Sequence, residues 1–393
     1  MTAAAGAEFA YRELGPQSGV PLVLVTQLGA NLDSWDPRIV DGLARDRWVP
    51  ISSNIASRER YAMRAFVVDR YKEPLREAEV PEPVVGEHDV LVQVQAAGLN
   101  VLDEKIRSGA FKSFLRYRLP QVMGNDVAGT VIGVGSGVRG FTLGDQVYAR
   151  PDKDRIGTFA ERIAVAEADL ALKPATISVE EAGSLPLVAL TAWQALVEKG
   201  HVRPGQRVLI HAGAGGVGTI AIQLAKHLGA TVATTVSARD ADFARELGAD
   251  VVIDYRGQDF EQLLDGYDLV LDSLGGKNLE KSLRVLRPGG KAIGIAEPPD
   301  PAFAREAGLN PVLRLAIAVL SRKIRRQAKK LGVTYEFLFM RASGDQLRQI
   351  SALVDRGVLR PVVGRVFDFD QTAQAVQSLG KGGIRGKAVI TRA

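Results

Sequence analysis

Residues 211–218 read His-Ala-Gly-Ala-Gly-Gly-Val-Gly, between an apolar run at 208–210 and an amphipathic stretch at 219–228. The spacing Gly213, Gly215, Gly218 is that of a loop that holds a pyrophosphate. Gly213 can make the tight turn, Gly215 lets backbone approach a phosphate, and Gly218 brings helix and strand close. Ala214, Gly216 and Val217 complete the cradle with main-chain N–H groups at a helix N-terminus, where an anion is favoured. A glycine turn without a ligand is the bland alternative. Strand, turn and helix follow in the order a dinucleotide site needs, so a dinucleotide is expected here.

The other residues capable of chemistry narrow the field. The chain of 393 residues has no cysteine, which excludes disulfides, thiolate catalysis and any cysteine-ligated zinc or iron–sulfur site. Its four histidines, His88, His201, His211 and His227, lack metal-ligand spacing. Structural roles are expected for them, and no metal site. A net charge of +5 is small for this length and gives no reason to expect a nucleic-acid partner. The basic excess is local, because residues 307–335 contain no acid but include Arg314, Arg322, Lys323, Arg325, Arg326, Lys329 and Lys330. The apolar run at 312–320 beside them is too short to span a bilayer, so no membrane insertion is expected. A solvated basic helix and a membrane-surface helix both fit this stretch. The first residues lack the pattern of a secretory signal, and a cytoplasmic location is expected.

The elements that must position these residues fall into three parts, expected at 1–62, at 63–189 with 343–393, and at 190–342. The first contains strand-like runs near 9–15, 20–25 and 48–51, a turn-rich 29–37 and a helix at 39–43. Residues 8–55 resemble the opening of an α/β-hydrolase, with Gln27-Leu28-Gly29 where such enzymes carry His-Gly. No G-x-S-x-G nucleophile elbow occurs anywhere, so a truncated, non-catalytic appendage is expected. From Met63, short β-branched runs alternate with frequent glycines, as in a compact β-barrel. After Glu180, strands at 208–211, 232–236, 251–253, 269–271 and 292–295 alternate with helical patterns, which requires a mainly parallel sheet. A last apolar strand at 335–340 would expose an unpaired edge, and pairing across a two-fold axis into a homodimer is expected.

From Met63 to Ala393 the chain resembles the medium-chain dehydrogenase/reductase superfamily, in its zinc-independent quinone oxidoreductase and enone reductase branch. The resemblance rests on Ala96-Ala-Gly-Leu-Asn100-Val-Leu-Asp103, Gly124-Asn-Asp-Val-Ala-Gly129, Gly144-Asp-Gln-Val-Tyr148, Gly157-Thr-Phe-Ala-Glu161, Leu190-Thr-Ala-Trp-Gln-Ala195, the glycine loop and Arg385-Gly-Lys-Ala-Val389. It implies an α/β fold with a GroES-like β-barrel catalytic domain, a Rossmann doubly wound domain and NADPH between them. Zinc-dependent relatives place a cysteine where this chain has Asn100 and a His-Glu pair where it has Asn125-Asp126, which disfavours metal-assisted alcohol oxidation.

Nicotinamide enzymes that prefer the unphosphorylated cofactor end the second strand on an acid, and residues 231–239 contain none. Ser237 and Arg239 offer a hydroxyl and a cation to a 2′-phosphate, and Tyr255 matches a family tyrosine near it, so NADPH is expected. Asp240 stands where some relatives have lysine. The expectation survives if Arg239 rather than Asp240 faces the phosphate. The resemblance also places Lys387 at the cofactor and Thr191 near the nicotinamide, and it sets Asn100 beside the acceptor, where its amide could donate to a developing oxyanion. Asp103 could serve the site or close a turn. Tyr71, Tyr148 and Lys105 are the other candidate proton donors, more readily structural, and a proton from solvent is expected. The implied activity is hydride transfer from NADPH to a quinone or α,β-unsaturated carbonyl. An NADPH-holding redox sensor with little turnover is the rival.

Overall fold

The computed structural model describes residues 62–112, 115–296, 298–379 and 382–392, with the backbone of 10–14, 24–25 and 49–53. The chain divides into two compact units, one of residues 1–63 with 79–82 and one containing the rest. In the first, strands Ala10–Leu14, Val49–Ser53 and Leu24–Val25 form a three-stranded sheet in that order. Ala10–Leu14 is antiparallel and Leu24–Val25 parallel to the central strand. The expected turn at 29–37 and helix at 39–43 lie outside the described residues.

The second unit holds two sheets that matter for function. The first is a seven-stranded, largely antiparallel sheet around Asp89–Gly98, which pairs with Arg162–Ala166, Val127–Val134 and Lys387–Thr391. Alternation along Asp89–Gly98 explains its place. Val90, Val92 and Val94 point into a core with Val127, Val131, Phe159 and Ile390, while Leu91, Gln93 and Gln95 between them are more exposed or half-buried. This is the GroES-like domain.

The second is an all-parallel, six-stranded sheet of β1 (Arg207–Ile210), β2 (Thr231–Val236), β3 (Val251–Asp254), β4 (Tyr267–Asp272), β5 (Leu286–Gly294) and β6 (Thr334–Phe337). Its spatial order is β3-β2-β1-β4-β5-β6, the doubly wound Rossmann arrangement. The central strands β1 and β4 carry apolar runs, Val208-Leu209-Ile210 and Leu269-Val270-Leu271, because both of their faces are covered. Val208 and Ile210 of β1 enter one core with Ile220 and Leu224, and Leu209 enters the other with Val270 and Ala292. The strand order reverses between β1 and β4, and the crevice at their carboxyl ends is where ligands bind in such sheets.

The strand expected at 335–340 is shorter than its apolar run. β6 ends at Phe337, and residues 338–340 leave the sheet. Leu338 and Met340 are instead buried in the core beside the site, so packing demand and not strand pairing sets their apolar character.

Candidate active site

The glycine turn leaves β1 at the strand-order reversal and enters helix α3 (Gly216–His227), after two upstream helices α1 (Val101–Arg107) and α2 (Pro186–Trp193). The residue with left-handed backbone is Ala212, at φ +53°, and not Gly213 as the spacing suggested. Gly213 is required for closeness, since a Cβ there would lie 2.1 Å from Thr234 Oγ1. Gly218 plays the part its spacing implied, because a Cβ would come within 2.3 Å of Ala212 O and wedge helix from strand. Gly215 is the N-cap of α3 and offers no side-chain cap, so the first-turn N–H groups of Gly216, Val217 and Gly218 remain for an anion. His211, just before the turn, is a satisfied core residue bonded to Thr235 and Ser282, and burial holds its imidazole below the usual range.

A cavity of about 630 Å³ opens from this turn. Gly215, Gly216, Thr191, Lys387 and Asn100 line it together with Lys105, Arg150, Phe111, Phe337 and Phe339. Asn100 caps α1, and its surroundings form a buried polar lattice. Asn100 Nδ2 donates to Asp126 Oδ2 at 2.9 Å and to Gly98 O at 3.2 Å. Lys387 Nζ donates to Asn100 Oδ1 and, at 3.3 Å, to Asp126 Oδ2. Leu187 N donates to the other Asp126 oxygen at 2.7 Å, tying α2 to the lattice. Burial pushes the Asp126 carboxyl up and the Lys387 ammonium down, and their mutual attraction opposes both shifts.

Both N–H groups of Asn100 are thus committed within the protein. The amide that sequence reasoning offered to a developing oxyanion is a linker between Lys387 and Asp126. Thr191 lines the cavity, and its Oγ1 likewise donates to Leu187 O at 2.7 Å, so it can act toward a ligand only as an acceptor. Tyr148 is buried away from the cavity and donates to Leu347 O at 2.8 Å, while Tyr71 packs by Gly109 and does not line it. Of the three extra candidates only Lys105 lines the cavity, with its ammonium 5.5 Å from the Phe111 ring centre.

Asp103 resolves toward the turn. It accepts from Asn100 N and from Asn125 Nδ2, each at 2.7 Å, and is fully buried. Burial raises its carboxyl to about 7, against the two donated bonds that lower it. The unfolded carboxyl ionises near 3.8, so between those values the folded chain keeps a proton that the unfolded chain has released. The stabilisation from protonated Asp103 is therefore complete in acid and lost as pH rises through about 7. The Tm advantage of wild type over Asp103→Asn is expected to narrow by roughly 5 °C between about pH 5 and pH 8. An equal gap at both would mean that the carboxyl is ionised throughout.

Sequence reasoning missed two arginines. Arg150 is 1% exposed yet lines the cavity, with Nη1 donating to Pro151 O at 2.8 Å and a buried Nε that has no partner. Arg385, two residues before the last strand, reaches to Asp240 at 2.8 Å and to Arg239 O at 2.9 Å. Asp240 also accepts from Ser237 Oγ at 2.6 Å. Its burial is outweighed by the bonds from Ser237, Arg385 and Arg239, which hold the carboxyl below the usual range. With Asp240 turned inward at 5% exposure, Arg239 and Arg385 flank a shallow groove beyond β2. Tyr255 stands exposed beside β2, its N–H bonded to Val236 O. The signal for Arg385 was the Arg385-Gly-Lys-Ala-Val389 run, whose middle residue alone was nominated. Arg150 carried no motif signal at all.

A Rossmann sheet with a glycine turn, joined through one cavity to a GroES-like barrel, defines a nucleotide-dependent oxidoreductase of two domains. Residues 86–175 match the family described as "Alcohol dehydrogenase GroES-like domain", and residues 247–390 match "Zinc-binding dehydrogenase". The chain is 34% identical to the zebrafish (Danio rerio) "NAD(P)H oxidoreductase RTN4IP1, mitochondrial", covering 86% of this chain and 94% of that one. It is 35% identical to the Arabidopsis thaliana "NADPH-dependent alkenal/one oxidoreductase, chloroplastic", covering 80% and 75%. The solved quinone oxidoreductase of Coxiella burnetii superposes with a TM-score of 0.74 at 31% identity, over 84% of this chain and 100% of that one. The chain belongs to the medium-chain dehydrogenase/reductase superfamily, in its zinc-independent quinone and enone reductase branch. Despite the description of the second family, Asn100 and Asn125 stand at ligand positions of the zinc-dependent relatives. Among the described residues no three of His, Cys, Asp or Glu are grouped to hold a metal ion.

Proposed function

We infer that the protein is an NADPH-dependent, zinc-independent oxidoreductase that reduces quinones or α,β-unsaturated carbonyls. The observation that carries this reading is the single cavity running from the glycine turn past Lys105 to an apolar wall of Phe111, Phe337 and Phe339. NADPH fits the residues present. The uncapped turn of α3 suits its pyrophosphate, and Arg239 and Arg385 suit its 2′-phosphate.

When bound, the cofactor supplies a hydride. The chain's own residues position, polarise and exclude water. Lys387 holds Asn100, and the lattice behind Asn100 fixes the cavity wall against α2. Thr191, with its proton donated to Leu187 O, would accept from the cofactor's carboxamide. The acceptor's carbonyl oxygen is polarised by the Lys105 ammonium, while the apolar wall takes its carbon frame. The added proton comes from solvent or from Lys105.

The direct test is NADPH oxidation with a panel of quinones and enones; silence with all of them, although NADPH binds, would overturn the reading. Lys105→Met is expected to lower kcat/KM for an enone about 100-fold with the NADPH Kd unchanged. An unchanged kcat/KM would remove Lys105 from the reaction.

Among the described residues β6 is the last strand in the order of its sheet, a position that supports a homodimer, which sedimentation would establish. Among the described residues no helix is long and apolar enough to cross a membrane.

A further inference from the structure

Three helices precede β6: α4 (Pro301–Glu306), α5 (Pro311–Leu320) and α6 (Arg322–Lys330). α5 inverts the usual order of a surface helix. Ile317 is its one buried large side chain, while Val312, Leu315, Val319 and Leu320 are 77%, 68%, 61% and 67% exposed. At about 100° per residue, Val312, Leu315 and Val319 share one face. α6 is the opposite: Ile324 and Ala328 face the core, and Arg322, Arg326, Lys329 and Lys330 share the outward arc. No carboxylate among the described residues pairs with these four.

The elbow between the helices is fixed. Ser321 is buried and donates to Ile317 O at 2.8 Å, and Arg325 bonds both Ser321 Oγ and Ala318 O, at 3.2 and 2.9 Å. An apolar arm and a basic arm are therefore held together in one ordered unit, within a stretch of 29 residues, 307–335, that contains no acid.

We propose that α5 and α6 seat the protein peripherally on an anionic phospholipid surface. Exposed valine and leucine side chains enter the boundary between headgroups and acyl chains, and the arginines and lysines meet the phosphates. Charge decides this occupant over a second copy of the chain, because a two-fold contact here would bring cations onto cations. The surface is also continuous with the site. α5 packs on α4, and Phe303 of α4 stacks edge-on to Phe337 at 5.2 Å, a residue of the cavity wall. A lipid-dissolved, apolar acceptor is the substrate such a placement serves. That clause rests on the reductase reading; the surface itself does not.

The test is co-sedimentation of the full chain with phosphatidylcholine vesicles, with and without about one-third phosphatidylglycerol. Binding is expected only to the anionic vesicles and is expected to weaken with salt. Arg326→Gln with Lys329→Gln should weaken it about 30-fold, at roughly fivefold per cation removed. Leu315→Glu should abolish it without changing turnover of a water-soluble enone. A tryptophan placed by Leu315→Trp should shift its emission to the blue on anionic vesicles, which adsorption by charge alone would not produce. No binding to anionic vesicles at low salt, binding indifferent to Leu315→Glu, or a Leu315→Glu variant that instead changes oligomeric mass would each overturn the proposal. Because the readout is binding, its failure is separate from a failure to reduce quinones or enones.

Discussion

Lys387→Met is expected to lower Tm by about 5 °C near pH 8 and by much less near pH 5. The ammonium lies between Asn100 Oδ1 and Asp126 Oδ2, and the Asp126 side chain is fully buried. Removing one partner of a buried pair leaves the other uncompensated, at a cost of about 3–5 kcal/mol, or roughly 5 °C for a chain of this length. The pH dependence follows from which group is left. Burial already raises the Asp126 carboxyl, and without the cation it rises further. A raised carboxyl contributes its stability in its protonated form, so the variant recovers in acid and is weakest once pH passes the folded value. Cofactor binding is expected to weaken as well. Lys387 packs on the glycine turn so closely that a Cβ on Gly216 would meet its Cδ at 2.8 Å, and Gly386 N donates to Ala214 O at 2.8 Å. Thermal melts at two pH values decide the matter, and a pH-independent loss would mean that Asp126 is not the group left behind.

Arg239→Ala combined with Arg385→Ala is expected to weaken NADPH binding about 1000-fold and NADH binding by less than about threefold. A hydrogen bond to a charged group contributes about 1.5–3 kcal/mol, and two guanidiniums flank the groove at the end of β2. NADH has no 2′-phosphate to lose those contacts. Asp240, released from Arg385, would stand where a carboxylate suits a ribose hydroxyl, which protects or improves NADH binding. Fluorescence titration with both nucleotides measures the two constants. Equal losses for both would mean that the groove does not receive the 2′-phosphate.

The parts of the fold that rest on local pattern were legible. β1 and β4 announce themselves as apolar runs, and β2 as a β-branched one, because the sheet is covered on both faces, and the turn after β1 is marked by glycine spacing. Gly218 could be assigned its packing role from spacing alone. Gly213 could not, because its need comes from Thr234 on the neighbouring strand, and the left-handed turn residue proved to be Ala212. Likewise β6 stops at Phe337 although the apolar run continues, since burial beside the cavity and strand pairing ask for the same residue types.

The site was legible in membership more than in role. Asn100, Thr191 and Lys387 do meet at the cavity. The hydrogen-bond partners that use up both N–H groups of Asn100 lie at Gly98 and Asp126, and no spacing rule reports whether a donor is spent. Arg385 neutralises an aspartate 145 positions earlier, a pairing that forms only when the segment before the last strand comes back beside the end of β2.

By itself the sequence determined the Rossmann and GroES-like pairing, the phosphate turn, the absence of thiol chemistry and the amides at metal-ligand positions. The phosphate turn and the lack of thiols follow from residue type and short-range spacing, and the domain pairing and the amides from the resemblance of local motifs, all of which survive any folding. Tertiary structure alone decided which donors remain available to a substrate, that Asp240 turns inward under two arginines, that Asp103 closes a turn, and that an apolar helix is left facing outward. Each of those depends on burial and on partners distant along the chain, and both exist only once the chain has packed.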